Sequence, residues 1–193
     1  MYVTIQGIDT AGKSTQIEAL RTLFPEAVFT KEPGGTDVGQ TIRSMILNGD
    51  MQSKHAEMFM FLADRAEHTH QVIVPNINKL IISDRSCVSG IAYATVQDVC
   101  DIDTLVQLNR LATDNHLPQH VFILRLTPEV LTYRLSQKEH DAIESRGIDY
   151  LLSIQDALIA SSHALGIQTH VIDASQSIDT ITLEIANLIK GAL

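Results

Sequence analysis

The run Gly7-Ile8-Asp9-Thr10-Ala11-Gly12-Lys13-Ser14 fits G-x-x-x-x-G-K-[ST] without a gap. It begins where the apolar run Tyr2–Gln6 ends. It leads into a stretch, Lys13–Phe24, in which Ile17, Leu20 and Phe24 recur at i, i+3 and i+7, the stripe of an amphipathic helix. Strand, glycine-bearing turn and helix in that order leave few options. The glycines let successive backbone N–H groups turn inward around phosphate oxygens, and the helix N-terminus adds partial positive charge. Lys13 can reach the β and γ phosphates, and the Ser14 hydroxyl can ligate Mg²⁺. The pattern implies a purine nucleoside triphosphate held with Mg²⁺; the alternative is a tight turn that binds nothing. Asn78-Lys79-Leu80-Ile81 superficially suggests a guanine-reading N-K-x-D, but the aspartate is missing and the segment runs into a strand, which disfavours GTPase switching.

The rest of the chain supplies the sheet such a loop needs. Strand-like runs recur at Ala27–Thr30, Lys79–Ser83, Val121–Leu126 and His170–Ile172, and helical spacing fills Thr36–Leu47, Lys54–Asn78, Asp101–His116, Pro128–Gln137, Ile143–Ala164 and Ile178–Lys190. Short apolar runs alternating with longer helical patterns predict a parallel sheet covered on both faces, with its ligand site beyond the carboxyl ends of the strands. At 193 residues one domain spanning 1–193 is expected, with a core that needs no disulfide or metal staple. With 45% hydrophobic residues the chain is not expected to be disordered, and no apolar run approaches the ~20 residues of a membrane span. The first basic side chain is Lys13, so no cleavable signal peptide is expected, and two cysteines, Cys87 and Cys100, suit a cytoplasmic protein with free thiols. A net charge of −9 makes a nucleic-acid partner a poor expectation. A small anion remains possible if the few cations converge.

Further motifs follow in order. Lys31-Glu32-Pro33-Gly34-Gly35-Thr36 follows the second strand, Phe61-Leu62-Ala63-Asp64-Arg65 lies on a helix, and Asp84-Arg85-Ser86 ends the third strand. With Ser89-Gly90-Ile91-Ala92-Tyr93 and Asp141-Ala142-Ile143-Glu144, their joint order and spacing resembles the bacterial type of the thymidylate kinase family, over most of the chain. The resemblance implies an α/β P-loop NTPase fold in three layers, a five-stranded parallel sheet flanked by helices with a small lid at about 134–147. It implies ATP-dependent phosphorylation of dTMP to dTDP, Mg²⁺ as cofactor, and a homodimer.

It also implies roles for residues at matching positions. Gly7, Ile8, Asp9, Thr10, Ala11, Gly12, Lys13, Ser14 and Thr15 would hold ATP, and Ser14 and Asp84 would serve the metal. Phe61 would stack on the base and Arg65 hydrogen-bond it; at i and i+4 they share one helical face. As a core phenylalanine, Phe61 would instead join Met58, Phe59, Met60 and Leu62. Arg85 would sit between donor and acceptor phosphates as a catalytic cation beside Lys13. Arg43 would be a second clamp on the acceptor phosphate, with Glu32 and Pro33 shaping the pocket wall and Ser89 near the base. Asp9, a carboxylate among phosphates that is costly without a compensating partner, matches the family's carboxylate that receives the nucleotide 3′-hydroxyl. Tyr93 would pack under the sugar, or else carry its hydroxyl at the surface. The chain departs from the family in its lid: Thr10 is not the arginine of one subtype, and Ala142 replaces a basic residue. Arg134, Lys138 and Arg146 remain as cations for the transferring phosphate.

Rival readings are a P-loop kinase for another nucleotide or a nucleoside, and a non-catalytic nucleotide-binding module. His68 is expected to be packed or at the surface, and the two cysteines to be small buried hydrophobes.

Overall fold

The computed structural model describes residues 1–49, 51–137 and 147–193. Lys138, Arg146 and Asp141-Ala142-Ile143-Glu144 lie outside the described residues. Five parallel strands, β1 (Tyr2–Gln6), β2 (Val28–Lys31), β3 (Ile81–Asp84), β4 (His120–Arg125) and β5 (Gln168–Asp173), form one sheet in the order β2-β3-β1-β4-β5. All five residues of β1 are buried, as are Val121–Leu124 of β4, which is what a parallel sheet covered on both faces demands. From β1 the chain crosses to the edge strand β2, returns to β3 beside β1 and then passes to β4 and β5 on the other side, so the crevice beyond the carboxyl ends of β1 and β3 is the topological place for a ligand.

The helices α1 (Lys13–Leu23), α2 (Asp37–Leu47), α3 (Lys54–His68), α4 (Cys87–Val96), α5 (Ile102–Ala112), α6 (Pro128–Leu135), α7 (Ile148–Ala164) and α8 (Ile178–Ala192) flank the sheet. Side chains of Thr36, Ser53, Asp101, Thr127 and Ser177 cap the N-termini of α2, α3, α5, α6 and α8, each contributing about 1 kcal/mol. No described helix is long and apolar enough to cross a membrane.

One element differs from its sequence expectation, and another, α4, had no helical expectation at all. The stretch expected as one helix to Asn78 is α-helical only to His68; a π turn (Thr69–Ile73) and a 3₁₀ turn (Val74–Asn76) follow. Pro75 lacks the N–H an α-helix would use there. Helix α4 has no amphipathic stripe, because six of its ten residues are buried and it packs against α3, α5 and α7 at once. Its only outward sign is Ser86, whose hydroxyl accepts from the Val88 N–H at 3.4 Å. Phe59 is 55% exposed rather than core, whereas Met58 is buried and Leu62 packs against the core.

Candidate active site

The turn after β1 is built as its glycines require. Gly12 caps α1 with φ 95°, in the left-handed region where a side chain is strained. Thr10, at φ 67°, pays that strain, and its carbonyl accepts from Arg134 Nη1 at 3.0 Å. Arg134 Nη2 also donates to the Ala174 carbonyl at 2.7 Å, so this lid candidate ties the loop to the turn after β5. Ser14 and Thr15 stand exposed at the start of α1, while Lys13 is buried.

Three charges converge beside the loop. Lys13 Nζ donates to the Ile8 carbonyl at 3.0 Å and lies 3.6 Å from Asp9 Oδ1. Arg85 Nη2 donates to the same oxygen at 2.8 Å. The carboxylate inside the loop is therefore compensated twice. Burial, then the neighbouring Arg85 cation, lowers the Lys13 pKa from 10.5 to about 8, against the pull of Asp9 and Asp84. Because the folded value lies below the ordinary one, this group's contribution to stability is full above pH 10.5 and lost as pH falls through about 8. Phosphates beside Nζ reverse the balance by favouring the ammonium form. Binding of a nucleoside triphosphate near pH 8 is therefore expected to take up a fraction of a proton. Titration calorimetry in buffers of different ionisation enthalpy reads this directly. A binding heat that is independent of buffer removes Lys13 from the phosphate contacts.

Arg85 is itself in the left-handed region, at φ 67°. Its N–H donates to the Ile5 carbonyl and its carbonyl accepts from Ser83 Oγ at 2.8 Å, so β1 and β3 together hold the turn. Its guanidinium lies over the Tyr93 ring, 5.7 Å from the centroid, and Nη1 reaches Ser89 Oγ at 3.4 Å. Ser89 in turn donates to Gln6 Oε1 at 2.6 Å. The Tyr93 hydroxyl is buried, not at the surface. Asp84 sits at the end of β3 with Oδ1 buried and without a hydrogen-bond partner among the described residues.

On the other side of the crevice, a polar cluster binds the turn after β2 to α3. Glu32 Oε2 accepts from Arg65 Nε and Oε1 meets His68 Nδ1, both at 2.9 Å. His68 Nε2 lies 2.6 Å from Thr30 Oγ1. Asp64 Oδ1 accepts the Gly34 N–H at 2.9 Å, and Arg43 Nη1 donates to the Pro33 carbonyl at 3.3 Å. Arg65 is 3% exposed and His68 fully buried. The guanidinium of Arg65 lies against Gly90 of α4, where a Cβ would come within 3.0 Å of Nη2. Phe61, one turn earlier on α3, is half-buried.

A family model described as thymidylate kinase matches residues 5–185. The chain belongs to the thymidylate kinase family. It is 57% identical over 190 residues to a thymidylate kinase of Sulfurimonas denitrificans, covering 98% of this chain and 100% of that one. It is 54% identical to one from Aliarcobacter butzleri, with 98% and 99% covered. The crystal structure of thymidylate kinase from Ehrlichia chaffeensis superposes with a TM-score of 0.76 at 26% identity, covering 98% of each chain. The five-stranded P-loop NTPase fold expected for this family is the one observed.

Two buried polar residues in this thymidylate kinase family member escaped the sequence reading. Gln6 ends β1 with its amide donating to Thr4 Oγ1 at 3.1 Å and Ser86 Oγ at 2.8 Å, beside the Ser89 bond. Asn109 accepts from Arg65 at 2.7 Å. Both signals were available: a polar side chain closing a buried strand, and an asparagine four residues after the core Leu105, each of which must find partners.

Proposed function

We propose that the protein transfers the γ-phosphoryl group of ATP to dTMP, releasing ADP and dTDP. The observation that carries this reading is the place of Arg85, which joins the phosphate-loop carboxylate Asp9 to Ser89 and Tyr93 of α4. A cation there touches both the donor loop and the acceptor crevice.

A phosphate monoester is largely dianionic at neutral pH, its second pKa being about 6, so the acceptor needs no general base. One acceptor oxygen attacks the γ-phosphorus as the bond to the β-phosphate oxygen breaks. The difficulty is bringing two polyanions into line, and fixed cations meet it. Lys13 holds the donor phosphates, Arg85 stabilises charge on the group in transfer, and Arg43 clamps the acceptor phosphate beside the Glu32-Pro33 wall. Asp9 receives the 3′-hydroxyl, Tyr93 packs under the sugar, and Phe61 with Arg65 addresses the base. Arg134 steadies the donor loop through the Thr10 carbonyl.

The residues present fit Mg²⁺: Ser14 offers a hydroxyl, and the buried Asp84 Oδ1 is an acceptor that lacks a protein donor among the described residues. Magnesium supplies charge neutralisation on the β and γ phosphates when bound. A homodimer is part of the same proposal, supported by exposed Met45 and Leu47 on α2 and Phe59 on α3; a monomer in sedimentation at high concentration would end it.

The test is ADP formation from MgATP with dTMP, dUMP, UMP, dCMP, dGMP and thymidine offered in turn. Preference for dTMP is the expected result. Transfer to another acceptor keeps the kinase but overturns the roles of Phe61 and Arg65. ATP binding without any transfer overturns the enzymatic reading.

A further inference from the structure

Arg65 is held at two points of its fork, and they have different consequences. The bond from Nε to Glu32 alone would leave the guanidinium plane free to tilt. The second bond, from Nη1 to Asn109 Oδ1 at 2.7 Å, fixes that plane against Gly90. Asn109 comes from α5, a different helix, and is 2% exposed. Its own orientation is set, because Nδ2 donates at 2.7 Å to the Leu105 carbonyl one turn back, which turns Oδ1 toward Arg65. Among the described residues Nη2 makes no hydrogen bond, so its N–H groups, with the second N–H of Nη1, are left for a ligand.

We infer that Asn109 is a positioning residue that sets base selectivity, by fixing the plane in which Arg65 presents Nη2 to a carbonyl oxygen of an oxo-pyrimidine. This rests on the reading of Arg65 as the base contact. An amino group at the same ring position offers a donor to a donor, and a buried donor left unmatched is costly. With the plane fixed, the fork cannot swing away to tolerate the wrong base. Without Asn109 it can, and discrimination falls.

The experiment measures kcat and KM for dTMP, dCMP and MgATP in Asn109→Ala, Asn109→Leu and Asn109→Asp, alone and in an Arg65→Lys background. Lysine keeps a cation for Glu32 but has no planar fork. In Asn109→Ala the KM for dTMP should rise about tenfold and the dTMP-to-dCMP preference fall by a similar factor, with the MgATP KM within about twofold. Asn109→Leu fills the volume without an acceptor and should behave alike if the alanine variant folds poorly. Asn109→Asp keeps an oxygen for Nη1 but loses the donor to the Leu105 carbonyl, so its preference should fall between those of the parent and Asn109→Ala. In the Arg65→Lys background the asparagine substitutions should change the preference no further.

A loss of kcat with equal shifts in both substrates' KM would show a merely structural role and overturn the inference. So would an unchanged preference in Asn109→Ala and Asn109→Leu while Arg65→Lys loses it. If Arg65→Lys itself keeps full preference for dTMP, the base-contact reading fails, and that failure is separately visible.

Discussion

Replacing Arg85 with alanine will reduce turnover by about 10³-fold while the protein stays folded, the scale set by removing a preorganised group aimed at developing charge. The substitution deletes a guanidinium that bonds Asp9 at 2.8 Å and lies over Tyr93. It adds little backbone cost, because arginine already occupies the left-handed region there and alanine meets the same strain. The turn is held by bonds of the residue's own main chain that survive the change, its N–H to the Ile5 carbonyl and its carbonyl to the Ser83 hydroxyl. Arg85→Lys should also be poor, since a point charge cannot copy a planar fork. Thermal melting close to that of the parent with a collapsed kcat is the expected pair of results. A near-normal rate would remove Arg85 from the catalytic set.

The second large effect is on stability. Glu32→Ala strips two buried partners at once, leaving the Arg65 guanidinium and His68 Nδ1 without their carboxylate. Breaking a buried charge pair on one side costs about 3–5 kcal/mol. In a chain of this size that lowers the melting temperature by about 6–20 °C. Glu32→Gln keeps an acceptor and the shape, and should cost less. Burial pushes the Glu32 carboxyl up, but Arg65 and His68 together outweigh it and hold the pKa below the ordinary value. Its contribution is therefore complete above the unfolded carboxylate range and lost as pH falls through the lower, folded value. Acid unfolding of Glu32→Gln should lack that component. An unchanged melting temperature in Glu32→Ala would show that the cluster is dispensable to the fold.

The phosphate loop was legible because its chemistry is local. Every donor that cradles a phosphate there comes from consecutive residues, so Gly7 to Ser14 carry the motif unaided. Strands β1, β3 and β4 were legible for a related reason, since a strand covered on both faces is mostly apolar, with Thr4, Gln6 and Ser83 as hydrogen-bonded exceptions. Helix α4 was not, because burial on several sides erases the periodicity by which an amphipathic helix is recognised. The acceptor motifs were legible only jointly, through their order along the chain.

What the sequence by itself determined is the loop, the alternating α/β architecture and the residue types that can meet phosphate. Which of the cations meet which carboxylates was decided by the tertiary structure. Asp9 and Arg85 are 76 residues apart, and Glu32, Arg65 and Asn109 come from three separate segments. Hydrogen bonds and ion pairs between such segments depend on distances of a few tenths of an ångström, set only when β1, β3 and the helices have packed. Periodicity and motif spacing act within one segment, so they cannot show that Asn109 holds Arg65 or that Asp9 holds Arg85.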